Sequence, residues 1–138
     1  MDITHICIDT SPLISYLKGR EPGATAVEQA VRQCACYVTA VTVYELIFGV
    51  ARAAKEIGED VLLGVMAVLP LDEAAARRAA ILHDALIRNN DDIGVKDVLI
   101  AAICLERSLP ILTHNERHFT RVPGLTVFTP ETFLAQLS

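Results

Sequence analysis

The chain has 138 residues, of which 52% are apolar and 21% are charged, and its formal net charge is −5. This length suits one domain with a buried core, and the apolar content excludes an intrinsically disordered chain. A negative charge argues against a protein that holds nucleic acid through a basic surface alone. We therefore expect a single domain spanning residues 1–138, in which any contact with nucleic acid involves a bridging cation.

The sequence shows no signal peptide and no membrane-spanning segment. Its first residues, Met-Asp-Ile-Thr-His, lack a basic start and a long apolar run, and no apolar stretch approaches the ~18 residues of a membrane helix. The cysteines do not have the spacing of a zinc site, so we interpret them as small buried residues in a reducing compartment. We expect a cytoplasmic protein without membrane association. The four cysteines are Cys7, Cys34, Cys36 and Cys104.

Apolar strands alternate with helices along the chain. The predicted strands are residues 3–8, 37–40, 68–71, 109–113 and 125–128. The predicted helices are residues 11–18, 22–34, 42–54, 56–67, 73–88 and 96–107, a helical turn at 118–119, and a C-terminal helix that begins at 129–131. This alternation predicts an α/β fold, a three-layer α/β/α sandwich with a parallel sheet between two layers of helices. In such sheets, sites form at the carboxyl ends of the strands.

Three acidic residues adjoin apolar elements, where a carboxylate is costly to bury without a partner. Asp9 follows the first strand, Glu45 follows the second, and Asp97 begins a helix whose apolar face it shares. Each acid has a structural alternative. Asp9 can cap the following helix, and Asp97 can favour the helix dipole. Glu45 can close a capping box with Thr42.

The three acids meet at one sheet end if the first two strands are parallel neighbours and the helix over 96–107 runs antiparallel to them. Converging carboxylates repel one another unless some bind protons or a cation neutralises them. Oxygen ligands with positions left open for water and substrate describe a Mg²⁺ or Mn²⁺ site. Thr10 can bond a carboxylate or a metal-bound water there, and an ordinary turn role is its alternative.

Four segments stand out in order along the chain: ICIDTSPLI at 6–14, TAVTVYELIFGVAR at 39–52, GVKDVLIAAICLE at 94–106 and ILTHNERHFTRVPGL at 111–125. The late pattern Thr-x-Asn-x-x-x-Phe-x-x-Val-Pro-Gly-Leu is distinctive. Together the segments resemble the PIN domain and, within it, the VapC-type toxin ribonucleases of toxin–antitoxin pairs, and the resemblance covers essentially the whole chain. It implies a small parallel sheet of about five strands flanked by helices.

The resemblance implies a Mg²⁺- or Mn²⁺-dependent endoribonuclease with an acidic pocket. The family's first three acids fall on Asp9, Glu45 and Asp97, as metal ligands. The fourth position falls on Asn115, which keeps an oxygen but lacks the charge of the Asp found in many PIN domains. Either the neighbouring Glu116 substitutes for it, or Asn115 acts through water.

The resemblance also implies partners and products. Thr113 matches a polar residue that supports the pocket, and cleavage leaves a 5′-phosphate and a 3′-hydroxyl. A VapB-type antitoxin wraps the toxin and inserts a basic side chain into the pocket, and the toxin forms a homodimer. The apolar helices over 42–67 are candidates for both surfaces. Residues Arg52, Lys55, Arg117 and Arg121 are candidates to hold the RNA backbone, with solvated surface charges as the alternative.

Other functions fit less well. A catalytically weak PIN-fold module that binds RNA or protein remains open because of Asn115. A response-regulator receiver needs a second acid beside Asp9, and a phosphatase with an Asp nucleophile needs an Asp where the chain has Ser11. His114 and His118 are interpreted as loop histidines rather than as a base or a ligand.

Overall fold

The computed structural model describes residues 2–137. Five strands form one all-parallel sheet in the order β3-β2-β1-β4-β5. The strands are β1 His5–Ile8, β2 Ala35–Thr39, β3 Ala67–Leu69, β4 Ile111–Leu112 and β5 Val127–Phe128. The helices are α1 Thr10–Leu17, α2 Gly23–Gln33, α3 Ala40–Ala53, α4 Glu59–Leu63, α5 Glu73–Arg88, α6 Val95–Glu106, α7 Glu116–Phe119 and α8 Pro130–Gln136.

Both faces of the sheet are covered by helices. Successive strand residues point to opposite faces, so Ile6 and Ile8 pack with α1, α2 and α8, whereas Cys7 between them packs with α5, α6 and α7. Strand β4 repeats the alternation with Leu112 on the first face and Ile111 on the second. The predicted three-layer α/β/α sandwich with a five-stranded parallel sheet is confirmed.

Helix boundaries follow the capping groups near them. The predicted helix over 73–88 is confirmed, and its start is fixed by the Asp72 carboxylate, which accepts from the Ala75 amide. Helix α3 begins two residues before the predicted Thr42, because the Thr39 hydroxyl accepts from the Thr42 amide and makes Thr39 the N-cap. The capping box with Thr42, considered as the structural alternative for Glu45, is therefore not formed.

Several other elements are shorter than predicted. The helix expected over 56–67 is reduced to Glu59–Leu63 and is preceded by Gly58 with φ of 92°. Such a φ lies outside the helical region. The strand expected over 109–113 is reduced to Ile111–Leu112 because Pro110 has no amide hydrogen for a ladder bond.

The strand order places a crevice beside the centre of the sheet. From β1 the chain moves outward to β2 and β3, and it later returns on the other side to β4 and β5. Strands β1 and β4 are therefore neighbours whose following segments diverge, which is where α/β proteins bind ligands. Asp9 follows β1 and its amide donates to the Leu112 carbonyl of β4 at 2.9 Å, so Asp9 lies beside Thr113.

None of the helices within residues 2–137 has the length and apolar character required to cross a bilayer.

Candidate active site

The carboxyl end of the sheet carries an open pocket of about 470 Å³. The three acids singled out in the sequence all reach it, each from a different element: Asp9 from the end of β1, Glu45 from α3 and Asp97 from the first turn of α6. The structure therefore brings these acids together as the sequence predicted. The lining residues are Asp9, Thr10, Ser11, Ile14, Glu45, Asp97, His114 and Asn115.

Asp9 is the buried acid at the base of this pocket, with only 6% of its surface exposed. It occupies the N-cap position of α1, but its side chain makes no capping bond. Burial, with smaller contributions from the charges of Asp97 and Glu45, raises the pKa of Asp9 from 3.8 to about 6. The Thr113 hydroxyl opposes this rise by donating to Asp9 Oδ2 at 2.7 Å.

Thr113 links the base of the pocket to its fourth position. Its fully buried hydroxyl donates to Asp9 and accepts from the backbone amide of Asn115 at 2.8 Å. A hydroxyl has one hydrogen to donate and lone pairs to accept, so both bonds are satisfied together. The supporting role expected for Thr113 has this geometry as its physical basis.

Glu45 forms the more exposed wall of the pocket, with 22% of its side chain accessible. Thr10 donates a hydrogen bond from Oγ1 to Glu45 Oε1 at 2.9 Å. The Lys96 ammonium lies 3.3 Å from the other carboxylate oxygen, Oε2. Glu45 is thus held by a hydroxyl from α1 and a cation from α6, which confirms the contact expected of Thr10 with a carboxylate.

Asp97 faces two donors on one of its oxygens. Asn115 Nδ2 and His118 Nδ1 each lie 2.9 Å from Asp97 Oδ2. Asn115 is therefore in direct contact with an acid of the pocket. Glu116, the alternative for the fourth position, is exposed at the start of α7 and does not line the pocket.

The four basic residues considered for RNA contact have different surroundings. Arg52, Lys55 and Arg117 are exposed. Lys55 lines a groove of about 550 Å³ that shares Ile14 and Glu45 with the acidic pocket. Arg121 instead donates to the carbonyls of residues 91 and 92 and so holds the loop before α6.

The donor set of the pocket suits a hard divalent cation, because carboxylate and amide oxygens are the ligands such ions take. Within residues 2–137, no three carboxylate, imidazole or thiol side chains are already grouped closely enough to enclose an ion. Each acid is held by a protein donor instead. A cation here would compete with Lys96 for Oε2 of Glu45, whereas both contacts of Asp97 end on Oδ2.

Two pocket contacts were missed by sequence reasoning. Lys96 was not considered because its partner, Glu45, lies on another helix. His118 was interpreted as a loop histidine, yet it lies three residues after Asn115 in the short helix α7. Residues at i and i+3 of a helix are neighbours, so this spacing was the available signal for His118.

The chain is similar in sequence to known proteins of one family. Residues 6–125 match the PIN domain family. The tRNA(fMet)-specific endonuclease VapC of Shigella flexneri is 31% identical over 122 residues, which cover 86% of this chain and 92% of that relative.

Two solved structures share the fold. VapBC2 from Rickettsia felis, bound to a DNA fragment from their promoter, has a TM-score of 0.81 at 18% identity, covering 91% of this chain and 98% of that chain. VapBC-5 of Mycobacterium tuberculosis, a member of the VapBC family of toxin-antitoxin systems, has a TM-score of 0.63 at 25% identity, covering 91% and 97%. The chain therefore belongs to the PIN domain family, among the relatives of the VapC ribonucleases.

Proposed function

We propose that this chain is a Mg²⁺- or Mn²⁺-dependent endoribonuclease and that it acts as the toxin of a cytoplasmic toxin–antitoxin pair. The observation that carries the proposal is the meeting of Asp9, Glu45 and Asp97, from three separate elements, in one open pocket. Three carboxylates there are compatible with charge neutralisation by a cation. The relationship to VapC ribonucleases supports RNA as the substrate.

The ligands we assign to the cation are Asp9, Glu45 and Asp97, with Asn115 completing the site. Asp9 is buried and fixed by Thr113, so its carboxylate is oriented before any cation arrives. Asn115 lies against Asp97, whereas Glu116 is exposed outside the pocket. We therefore favour Asn115 over Glu116 for the fourth position.

When bound, the divalent cation supplies an acidified water as nucleophile and stabilises negative charge at the phosphodiester. The chain's own residues prepare this chemistry. Burial raises the pKa of Asp9 to about 6, so its carboxyl is mostly ionised at pH 7 and can serve as a ligand. Thr10 holds one oxygen of Glu45, and Lys96 is the cationic side chain that reaches this pocket wall. Lys96 can therefore contact an RNA phosphate once Glu45 binds the cation.

The partner we propose is an antitoxin of the VapB type, as the VapBC relatives suggest. The groove that shares Ile14 and Glu45 with the acidic pocket also contains Leu46 and Val50. Its apolar lining fits a partner segment with apolar side chains. A cationic side chain on that segment would take the position near Glu45 that Lys96 holds in the free chain.

A homodimer is also part of the proposal. Tyr44 and Phe48 on α3 are 60% and 53% exposed, and their rings stack with centroids 5.7 Å apart. Exposed aromatic pairs are typical of protein interfaces. We expect the F48S variant to shift the partner-free protein from dimer towards monomer in analytical ultracentrifugation, with unchanged fold by circular dichroism.

The nuclease is tested by incubating the purified, partner-free protein with RNA in the presence of Mg²⁺, Mn²⁺ or EDTA. The key variant is D97N, and the matched control is D84N, which makes the same change at an exposed aspartate of α5 paired with Arg88. We expect metal-dependent cleavage by the wild type and by D84N, and at least about hundredfold slower cleavage by D97N.

Three outcomes would contradict parts of the proposal. Cleavage that persists in EDTA, or in D97N at the wild-type rate, would exclude the metal mechanism. Failure to cut any RNA while still binding it would favour a PIN-fold binding module, which the neutral Asn115 makes the second candidate.

A further inference from the structure

His118 takes part in a three-membered polar cluster at the edge of the pocket. His118 Nδ1 lies 2.9 Å from Asp97 Oδ2, Asn115 Nδ2 lies 2.9 Å from the same oxygen, and Nδ2 and Nδ1 are 2.8 Å apart. The side chain of His118 is 37% exposed and that of Asp97 is 20% exposed. This imidazole is not among the proposed ligands of the cation.

Hydrogen-bond chemistry limits how these atoms can be arranged. An imidazole nitrogen carries a hydrogen or a lone pair, and an ionised carboxylate only accepts. The contact with Asp97 is therefore a bond only if Nδ1 carries the hydrogen. Asn115 and His118 then donate to the same oxygen. With the hydrogen on Nε2 instead, Nδ1 would accept from Asn115 Nδ2 at 2.8 Å and make no bond to Asp97.

The cluster treats the two oxygens of Asp97 differently. Both donors end on Oδ2, and no hydrogen bond among residues 2–137 ends on Oδ1. Two donors on one oxygen restrict rotation of the carboxylate. Oδ1 is consequently the oxygen that remains free to meet a cation.

The imidazole is held in place by its helix. The His118 amide donates to the Asn115 carbonyl at 3.1 Å. The next residue, Phe119, is fully buried against α6 residues in the second core cluster. The short helix α7 is thus anchored on α6, the helix that carries Asp97, so the distance between the two side chains is fixed by packing.

We propose that His118 is a positioning residue: its Nδ1–H orients the Asp97 carboxylate so that Oδ1 faces the cation. This inference rests on the proposed metal-dependent function. Hydrogen bonds of this kind to a ligating carboxylate typically affect metal affinity or activity by about 10- to 100-fold. His118 itself touches neither the cation nor the RNA.

The tautomer is tested first, on the metal-free wild-type protein. Long-range ¹⁵N–¹H correlation spectra distinguish a hydrogen on Nδ1 from one on Nε2. We expect the hydrogen on Nδ1 of His118. A neutral ring with its hydrogen on Nε2 alone would overturn the inference, because Nδ1 then has nothing to donate to Asp97.

The second test uses two amide replacements that separate the ring nitrogens. In H118N the amide nitrogen occupies roughly the position of Nδ1, and in H118Q it occupies roughly that of Nε2. The measured quantity is the Mn²⁺ dissociation constant, from titration of metal-free protein followed by electron paramagnetic resonance. We expect H118A and H118Q to bind Mn²⁺ about tenfold or more weakly, and H118N to stay within about threefold of the wild type.

Catalysis supplies an independent measurement on the same variants. Because His118 acts on Asp97 rather than on RNA, H118A should lower kcat and leave KM for RNA unchanged. Wild-type Mn²⁺ affinity in H118A would overturn the inference, as would rescue by Gln but not by Asn, since that result would assign the role to Nε2. The Asn and Gln variants are compared only after circular dichroism confirms that both fold.

The D97N variant separates this inference from the proposed function. If D97N binds Mn²⁺ as tightly as the wild type, the metal site itself is wrong. If D97N loses Mn²⁺ while H118A retains it, only the role of His118 is wrong.

Discussion

The two sides of the acidic pocket are built differently. On the β1–β4 side, Asp9 is 6% exposed and its oxygen receives a 2.7 Å bond from the fully buried Thr113. On the α3 side, Glu45 is more accessible and is held by Thr10 and by the 58% exposed Lys96. The contrast teaches that one of the proposed ligands is oriented by the core of the fold, whereas the other lies on a more accessible wall of the pocket.

The largest expected effect is on activity, from removing the charge of either acid. We expect D9N to slow RNA cleavage at least about a thousandfold and E45Q to slow it about 10- to 100-fold, because a ligand oriented by the core is harder to replace by water. Cleavage rates at saturating Mn²⁺ measure both effects. Equal losses in the two variants would break the comparison between the two sides.

The next effect is a pH dependence of stability in metal-free protein. Because burial raises the pKa of Asp9 from 3.8 to about 6, the folded protein holds this proton more tightly than the unfolded chain does. The stabilisation is complete below the unfolded value and is lost as the pH rises through about 6. We expect this group to contribute roughly 2–3 kcal/mol across that window.

Urea denaturation in EDTA at a series of pH values measures this contribution. The D9N variant should lack it, so the stability of the wild type relative to D9N should fall as the pH rises from 4 to 7. An identical pH profile for the two proteins would show that Asp9 is not the buried, proton-retaining acid.

A third effect concerns the fourth position of the proposed metal site, for which Asn115 and Glu116 are the candidates. N115A should weaken Mn²⁺ binding about tenfold, because the substitution removes the side-chain amide that contacts Asp97. E116A should leave the affinity within about twofold of the wild type, because Glu116 is exposed outside the pocket. Calorimetric titration of both variants checks this, and a larger loss in E116A would reverse the assignment.

The fourth effect compares packing beside the two sides. A Cβ on the buried Gly23 would lie 2.6 Å from Ser15 Cβ and 2.9 Å from Nε2 of His114, the residue after Thr113. A Cβ on Gly49 in α3 would meet nothing within 4 Å. We expect G23A to lower the free energy of unfolding by about 1–3 kcal/mol. G49A should raise it by about 1 kcal/mol because alanine favours the helix. Urea denaturation of both variants measures the pair, and equal effects would contradict the packing difference.

The smallest effect on stability is expected for Lys96, on the Glu45 side of the pocket. Lys96 is mostly exposed, so K96M should change the free energy of unfolding by less than about 1 kcal/mol. If Lys96 contacts RNA, KM should rise several-fold while kcat changes little. Steady-state cleavage kinetics check this, with K18M at the neighbouring groove as the control. A fall in kcat alone would place Lys96 in the chemistry instead.

Much of the fold and of the pocket was predictable from local pattern. The strand and helix alternation indicated the parallel sheet, and the positions of Asp9, Glu45 and Asp97 beside apolar elements indicated a shared sheet end. The contact of Lys96 with Glu45 and that of His118 with Asp97 were not predictable. They join side chains whose distance depends on how α3, α6 and α7 pack. The capping box at Thr42, the structural alternative for Glu45, does not form for a different reason: Thr39, three residues earlier, is an equally good cap and ends a buried strand.

The pairing of β1 with β4 has a consequence for the order in which the protein is made. The Thr113 hydroxyl bonds Asp9 across a separation of 104 residues, so the ribosome synthesises one partner near the start of the chain and the other near its end. A nascent or truncated chain that stops before β4 has Asp9 but neither Thr113 nor Asn115, and its sheet lacks the strand that borders the crevice. The pocket is therefore complete only after β4 and residues 113–115 have been synthesised, and a chain released before that point does not carry it.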